Sequence, residues 1–263
     1  MMRSLNTAAT GMVAQQMNLD VIANNLANVN TTGFKGQHAE FQDLMYQVFR
    51  PAGAQTGTGG GRSPQASQIG LGTKFVSSPT NFSPGSIAAS SSPLDVSING
   101  DGFFQVQMAD GTTAYTRDGS FKVDADGQVV TSDGYKVVPN ISLGTGYRQL
   151  TISGSGQISA VLAGNNDPTD IGKIKVVIFP NQGGLTRLGQ NLYAAGVGSG
   201  QPSEQTPGEN GAGSLQQGFL EGSNIQVVEE MVRMITAQRA YEINSKAIQT
   251  SDEMLSTLNN LKR

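Results

Sequence analysis

Residues 4–30 read SLNTAATGMVAQQMNLDVIANNLANVN, and Leu5, Ala8, Met12, Gln15, Leu19, Ile22, Leu26 and Val29 recur in it at alternating steps of three and four. That spacing is the a/d rhythm of a helix that lays one stripe against a partner helix, and every position in it except Gln15 is apolar. It predicts one long helix over the first thirty residues. Gly33, after Thr31-Thr32, is placed to stop it.

The other end of the chain repeats the arrangement. Val227, Met234, Tyr241, Ile248 and Leu255 recur every seventh residue, flanked by Ala237, Ala240, Ala247, Met254, Leu258 and Leu261. A second amphipathic helix is expected from about residue 224 onward. Ser223 or Asn224 would cap it, Glu229 and Glu230 would sit at its positive end, and Lys262-Arg263 would complement its negative end.

Between the two the pattern shifts to period 2. Asp-Gly pairs stand at Asp101-Gly102, Asp110-Gly111, Asp118-Gly119, Asp126-Gly127 and Asp133-Gly134, with short β-prone runs such as Phe103-Phe104-Gln105-Val106 between them and Ile174–Phe179 later. Short strands joined by tight hairpins follow. The expected class is α+β: a discontinuous coiled-coil helical domain from both termini plus a central all-β domain with antiparallel hairpins. The segments are residues 1–33 (helix), 34–72 (Gly-rich arm), 73–200 (β domain), 201–223 (extended linker) and 224–263 (helix). Residues 38–49 fit either a short helix or an extended stretch.

Composition narrows the function. Seventeen basic and twenty acidic side chains give a net charge of −3 with no basic patch, which removes the electrostatic basis for binding nucleic acid or anionic membrane. With no Cys there is no thiolate nucleophile or zinc–thiolate site. Polar residues break each early apolar run before it reaches signal-peptide length, so if the protein leaves the cytoplasm a route without a cleaved signal peptide is expected. No cofactor or metal is expected. Asp124-Ala125-Asp126-Gly127-Gln128 begins like a calcium loop, but Val129 and Tyr135 stand where Gly and Glu are required, so a hairpin turn is the better reading. His38 is the only histidine and is read as solvated or interfacial; Gly59-Gly60-Gly61 lacks the Lys-Ser/Thr of a phosphate loop and is read as linker.

Each terminal helix needs a partner for its apolar stripe, and Gly/Ser-rich stretches separate both from the β domain. The partner is expected to be another copy of the chain, in a heterologous contact that propagates as a ring or helical tube.

Ala23-Asn24-Asn25-Leu26-Ala27-Asn28-Val29-Asn30-Thr31-Thr32-Gly33-Phe34-Lys35 resembles the N-terminal signature of the flagellar rod and hook proteins, and Glu229–Lys246, with Gln238-Arg239 within it, resembles their C-terminal signature. Residues 94–104 (LDVSINGDGFF), 115–121 (YTRDGSF) and 206–213 (TPGENGAG) are most similar to the distal rod members of that family, and residues 45–55 (MYQVFRPAGAQ) resemble a segment associated there with rigidity. Pro51-Ala52-Gly53 and Asn6 depart from the family pattern. The resemblance implies a rigid hollow distal rod in the basal body, not an enzyme, built from copies of the chain and transmitting torque to the hook. It further implies export by the flagellar export apparatus, proximal rod and hook proteins at the two ends, and surrounding periplasmic and outer-membrane rings as partners. A proximal rod or hook-like subunit is the alternative. The subunit contacts would use Leu5, Ala8, Met12, Leu19, Ile22, Leu26, Val29, Val227, Met234, Tyr241, Ile248, Leu255 and Leu258. Asn24, Asn25 and Asn28 read either as contacts between subunits or as a plain polar helix face. Gln15 would fix helix register or face the lumen. A wall-cutting hydrolase, the enzymatic rival, needs paired carboxylates across a cleft, whereas the aspartates here sit mainly in Asp-Gly turns.

Overall fold

The computed structural model describes residues 2–55, 62–143, 147–162 and 167–261. The chain divides into two compact units: Met1–Leu26, Gln37–Pro79 and Val227–Arg263 form one, and Ala27–Gly36 with Thr80–Gln226 form the other. We call them the helix unit and the β unit.

The helix unit holds α1 (Met2–Ala27) and α2 (Val227–Leu261) with four strands. β1 (Glu40–Asp43) pairs antiparallel with β4 (Thr73–Ser77), and β2 (Tyr46–Arg50) with β3 (Ser67–Gly70). Residues 38–49 are therefore extended. Phe41, Tyr46, Val48 and Phe49 are side chains that favour a pleated surface, and Phe41 meets Phe75 edge-on across β1 and β4 at 6.1 Å. Gly59-Gly60-Gly61 lies outside the described residues.

Both helices are shorter than the periodicity predicts. α1 stops at Ala27, where Asn28 takes over: its carbonyl accepts from the Thr31 amide at 3.2 Å and its side-chain oxygen from the Thr31 hydroxyl at 3.1 Å. An Asn side chain that offers the backbone a local alternative ends a helix in this way. Gly33, at φ +66, lies beyond that turn and is not the stop. α2 begins at Val227, because Asn224 is used elsewhere: its oxygen accepts from the Gly36 amide at 2.8 Å and its nitrogen donates to the Asn81 carbonyl at 2.9 Å. Ser223 accepts from the amide of Ile225, ahead of the helix. Glu229 and Glu230 do occupy the first turn, while Lys262-Arg263 lie outside the described residues.

The β unit carries β5 (Ile87–Ala89), β6 (Val96–Asn99), β7 (Phe104–Gln107), β8 (Thr113–Thr116), β9 (Lys122–Val123), β10 (Val129–Val130), β11 (Lys136–Val137), β12 (Tyr147–Ile152), β13 (Gln157–Leu162), β14 (Thr169–Lys173), β15 (Val176–Ile178), β16 (Thr186–Gly189), β17 (Leu192–Ala194), β18 (Ser203–Gln205), β19 (Ser214–Gln217) and β20 (Phe219–Glu221). The largest sheet is antiparallel, in the order β16-β17-β8-β7-β11-β10-β9, beside a second sheet β12-β13-β14. Three of the Asp-Gly pairs close hairpins in the same way. At Asp110-Gly111, Asp126-Gly127 and Asp133-Gly134 the glycine amide donates three residues back, to Met108, Asp124 and Thr131, and the glycine φ is +82, +75 and +87. That is a type I turn followed by a left-handed residue, the three-residue hairpin that needs Gly at its last position. The other two pairs serve packing: a Cβ on Gly119 would lie 1.7 Å from the Val96 carbonyl oxygen, and one on Gly102 2.0 Å from Val176.

Strand period then divides the interior into two cores. Phe104, Val106, Ala114 and Val176 enter a large aliphatic cluster with Val96, Ile98, Phe121 and Ile158. Their neighbours Phe103, Tyr115 and Val177 point to the other side and pack with Phe179, Leu185 and Tyr193, as alternation along a strand requires. Rings meet edge-on there, Phe103–Phe179 at 5.7 Å and Tyr115–Phe179 at 4.8 Å. Phe179→Leu keeps the site apolar and removes both contacts; urea unfolding is expected to show a loss of about 1–2 kcal/mol.

Residues 201–223, expected as a linker, carry three strands. β18 pairs with β15, β19 with β6 and β20 with β5. Their glycines permit close backbone contact: a Cβ on Gly213 would lie 2.7 Å from the Asn99 carbonyl oxygen.

Candidate functional site

In the helix unit, α1 and α2 meet antiparallel. The Ser4 and Ser251 hydroxyls are 3.5 Å apart, and a Cβ on Gly11 would lie 2.9 Å from the Asn244 side chain. One contact is seven residues further along α1 and seven residues back along α2, so the pairing follows the heptad. Small and polar residues carry it, and Ala14, Ile22, Ala237 and Ser251 are buried. Asn25 is buried too; it donates to the Gln37 carbonyl at 2.7 Å and accepts from the Gln37 amide at 3.0 Å, tying the chain down beside α1.

The predicted stripes flank this line. Leu5, Ala8, Met12, Leu19, Leu26 and Val29 are half-buried, as are Met234, Ile248 and Leu255, while Val227 and Tyr241 are exposed. The side chain of Leu258 lies outside those described. Gln15 is half-buried, and Asn24, Gln238 and Arg239 are exposed. The helices also expose Val13, Met17, Val228, Met231, Val232, Ile235 and Ile243, so one chain leaves much apolar surface uncovered.

The β unit contains a second constellation, built around residues 32–36. Lys35 is 0% exposed and its Nζ lies 2.6 Å from Glu221 Oε1, donating also to the Ser83 carbonyl at 2.8 Å. Glu221 Oε1 accepts from the Gly85 amide at 3.0 Å, and the Glu221 carbonyl accepts from the Gly33 amide at 2.8 Å. Arg117, also buried, holds Nε 3.5 Å from Glu221 Oε2, an ionic contact without hydrogen-bond geometry, and donates from Nη2 to the Gly100 carbonyl at 2.8 Å. Thr32 donates to Asp118 Oδ1 at 3.0 Å. Arg187 stacks 5.2 Å over the buried Phe34 ring and donates to the Lys35 carbonyl. Segment 32–36 is thereby inlaid in the β unit.

Burial sets the electrostatics of this lock. It pushes the Lys35 ammonium below the usual lysine range, against the opposing pull of the Glu221 carboxylate. It lowers the Arg117 and Arg187 guanidinium groups and raises the Tyr193 phenol. The Glu221 carboxylate lies against both buried cations and offsets part of their charge, whose burial with no carboxylate beside it would be costly in such surroundings. Gly33 and Phe34, predicted as family-motif residues, belong to this lock and not to a helix face. Lys35 was legible only as part of the motif. Arg117 likewise stood only within the YTRDGSF stretch, and Arg187 and Glu221 gave no signal, because Lys35 and Glu221 are 186 residues apart.

Among the described residues no cluster of His, Cys, Asp or Glu is able to hold a metal ion. Asp124-Asp126 sits in the β9–β10 hairpin. His38 is half-exposed, 3.6 Å from Glu40.

Residues 5–35 match the family described as flagella basal body rod protein, residues 97–160 the flagellar hook protein FlgE/F/G D1 domain, and residues 216–261 the flagellar basal body rod FlgEFG protein C-terminal family. The flagellar basal-body rod protein FlgG of Borreliella burgdorferi is 52% identical, over 100% of both chains. The chain belongs to the FlgG family of flagellar basal-body rod proteins. The FlgG protein of Bacillus subtilis is 42% identical, again over 100% of both chains. A likeness to the crystal structure of the Helicobacter pylori flagellar hook protein FlgE2 has 14% identity, covers 71% of this chain and 43% of that one, and has a TM-score of 0.25. Membership makes the chain a structural component of the flagellar basal body. The matches to the rod families cover most of α1 with nearly all of the inlaid segment, and the whole of α2.

Proposed function

We propose that this chain is the structural subunit of the flagellar distal rod, and that copies of it assemble through α1 and α2 into a rigid hollow helical tube that carries torque from motor to hook. The observation that carries the reading is the apolar surface that both helices leave open in a single chain, in a protein of a basal-body rod family. Stripe residues from Leu5 to Val29 and from Val227 to Leu258 would be buried between copies in a heterologous contact. The periplasmic and outer-membrane rings would surround the tube, with proximal rod and hook proteins at its two ends. Export through the flagellar apparatus would deliver it.

The role is mechanical and not enzymatic. Several of its carboxylates serve turns and locks: Asp110 accepts from Thr112, Asp118 from Thr32 and Ser120, and Glu221 from Lys35. The test is assembly of the purified protein, followed by sedimentation and electron microscopy. Tubes are expected from the unsubstituted chain and none from Leu26→Asp, with the strand signal in circular dichroism intact and no cell-wall-cleaving activity in either. Tubes from Leu26→Asp would remove the helices from the contact.

A further inference from the structure

The helix unit offers two complementary surfaces. On α1, Ala9, Val13 and Met17 border, with Thr73 and Phe75 of β4, an open cavity of about 400 Å³ that is mainly apolar. Val13 is 52% exposed at its mouth. On α2, Val228, Val232 and Ile235 step by four and three and are 75%, 58% and 52% exposed, with Met231 beside them. At 100° per residue this ridge lies on the side of α2 opposite Ala237, Asn244 and Ser251, the line that faces α1. One chain therefore carries both an apolar groove and an apolar ridge.

We propose that the Val228–Ile235 ridge of α2 in one copy seats in the α1–β4 groove of a second copy, the two helices running parallel. This rests on the self-assembly reading and specifies its contact. Charge selects the occupant and the direction. Asp20 follows Val13 by seven residues, and Arg239 follows Val232 by seven. A parallel alignment that sets Val13 against Val232 therefore places the Asp20 carboxylate beside the Arg239 guanidinium. It also brings Glu229 level with Thr10, whose hydroxyl oxygen lies 3.4 Å from the Thr73 amide, next to Lys74 on the groove wall. Among the described residues neither Asp20 nor Arg239 has an ion-pair partner within its own chain. An antiparallel alignment about the same valines carries Asp20 past the start of α2 and sets Arg239 beside Asn6, so both charges are left unmatched. Groove and ridge are different surfaces, so the contact is heterologous and repeats from copy to copy.

The chain has no cysteine of its own, which makes the pairing directly testable. Chains carrying Val13→Cys are mixed with chains carrying Val232→Cys, allowed to assemble and then oxidised. A disulfide between one chain of each kind is expected. The antiparallel reporter pair, Asn6→Cys mixed with Arg239→Cys, is expected to stay unlinked. In a second arm, Asp20→Arg and Arg239→Asp each raise the critical concentration for assembly about fivefold, and the double reversal returns it to within about twofold. Polymers without the 13–232 link, a 6–239 link, or a double reversal no better than either single would overturn the pairing while self-assembly stands. Failure of the unsubstituted protein to polymerise would overturn the self-assembly reading, and the pairing with it.

Discussion

Glu221→Ala is expected to destabilise the β unit by about 3–5 kcal/mol, because it leaves the Lys35 and Arg117 cations buried with no carboxylate between them. The side chain serves several groups at once: it receives Lys35 at 2.6 Å and the Gly85 amide at 3.0 Å, with Arg117 at 3.5 Å. Glu221→Gln keeps the shape and one acceptor oxygen but removes the charge, and should fall between the native protein and the alanine variant. Urea unfolding measures both. The alanine variant should also be cleaved by proteases between residues 27 and 37, because segment 32–36 loses its anchor. Equal stability of all three proteins would mean that the cluster does not hold the segment.

Gly33→Ala is the second large effect, and its origin is steric. Gly33 sits at φ +66, a conformation that costs a residue with a Cβ roughly 1–2 kcal/mol. The added methyl would also lie 2.7 Å from the Asp118 amide nitrogen, which is backbone and cannot swing away. The two together are expected to lower stability by about 2–4 kcal/mol. Because Gly33 donates to the Glu221 carbonyl, the Gly33→Ala and Glu221→Ala losses should combine to less than their sum, as residues of one network do. Full additivity in urea unfolding would separate the turn from the lock.

Elements fixed by local spacing could be read from the sequence. The seven-residue rhythm exposed both helices, and the Asp-Gly pairs located hairpins at residues 110, 126 and 133, since a left-handed position needs glycine whatever surrounds it. Contacts between distant segments stayed hidden. Residues 201–223 resemble a linker in composition, yet Gly213 is small because the Asn99 carbonyl crowds it, and the same glycine content serves flexible and tightly packed chain alike. The two terminal stripes predict a seam of apolar rows between copies; within one chain α1 and α2 meet at Ser4 with Ser251 and at Gly11 with Asn244. Periodicity marks which face is buried but not which partner buries it. The helix pair leaves Val228, Val232 and Ile235, which lie off the predicted stripe, open on the far side of α2.

Amide hydrogen exchange of the dilute protein and of the polymer tests this most directly. If copies of the chain cover those helix faces, residues 2–27 and 227–261 should exchange rapidly in the monomer and become strongly protected on assembly, while the β unit changes little. Helices already fully protected in the dilute monomer, with no gain in the polymer, would contradict it.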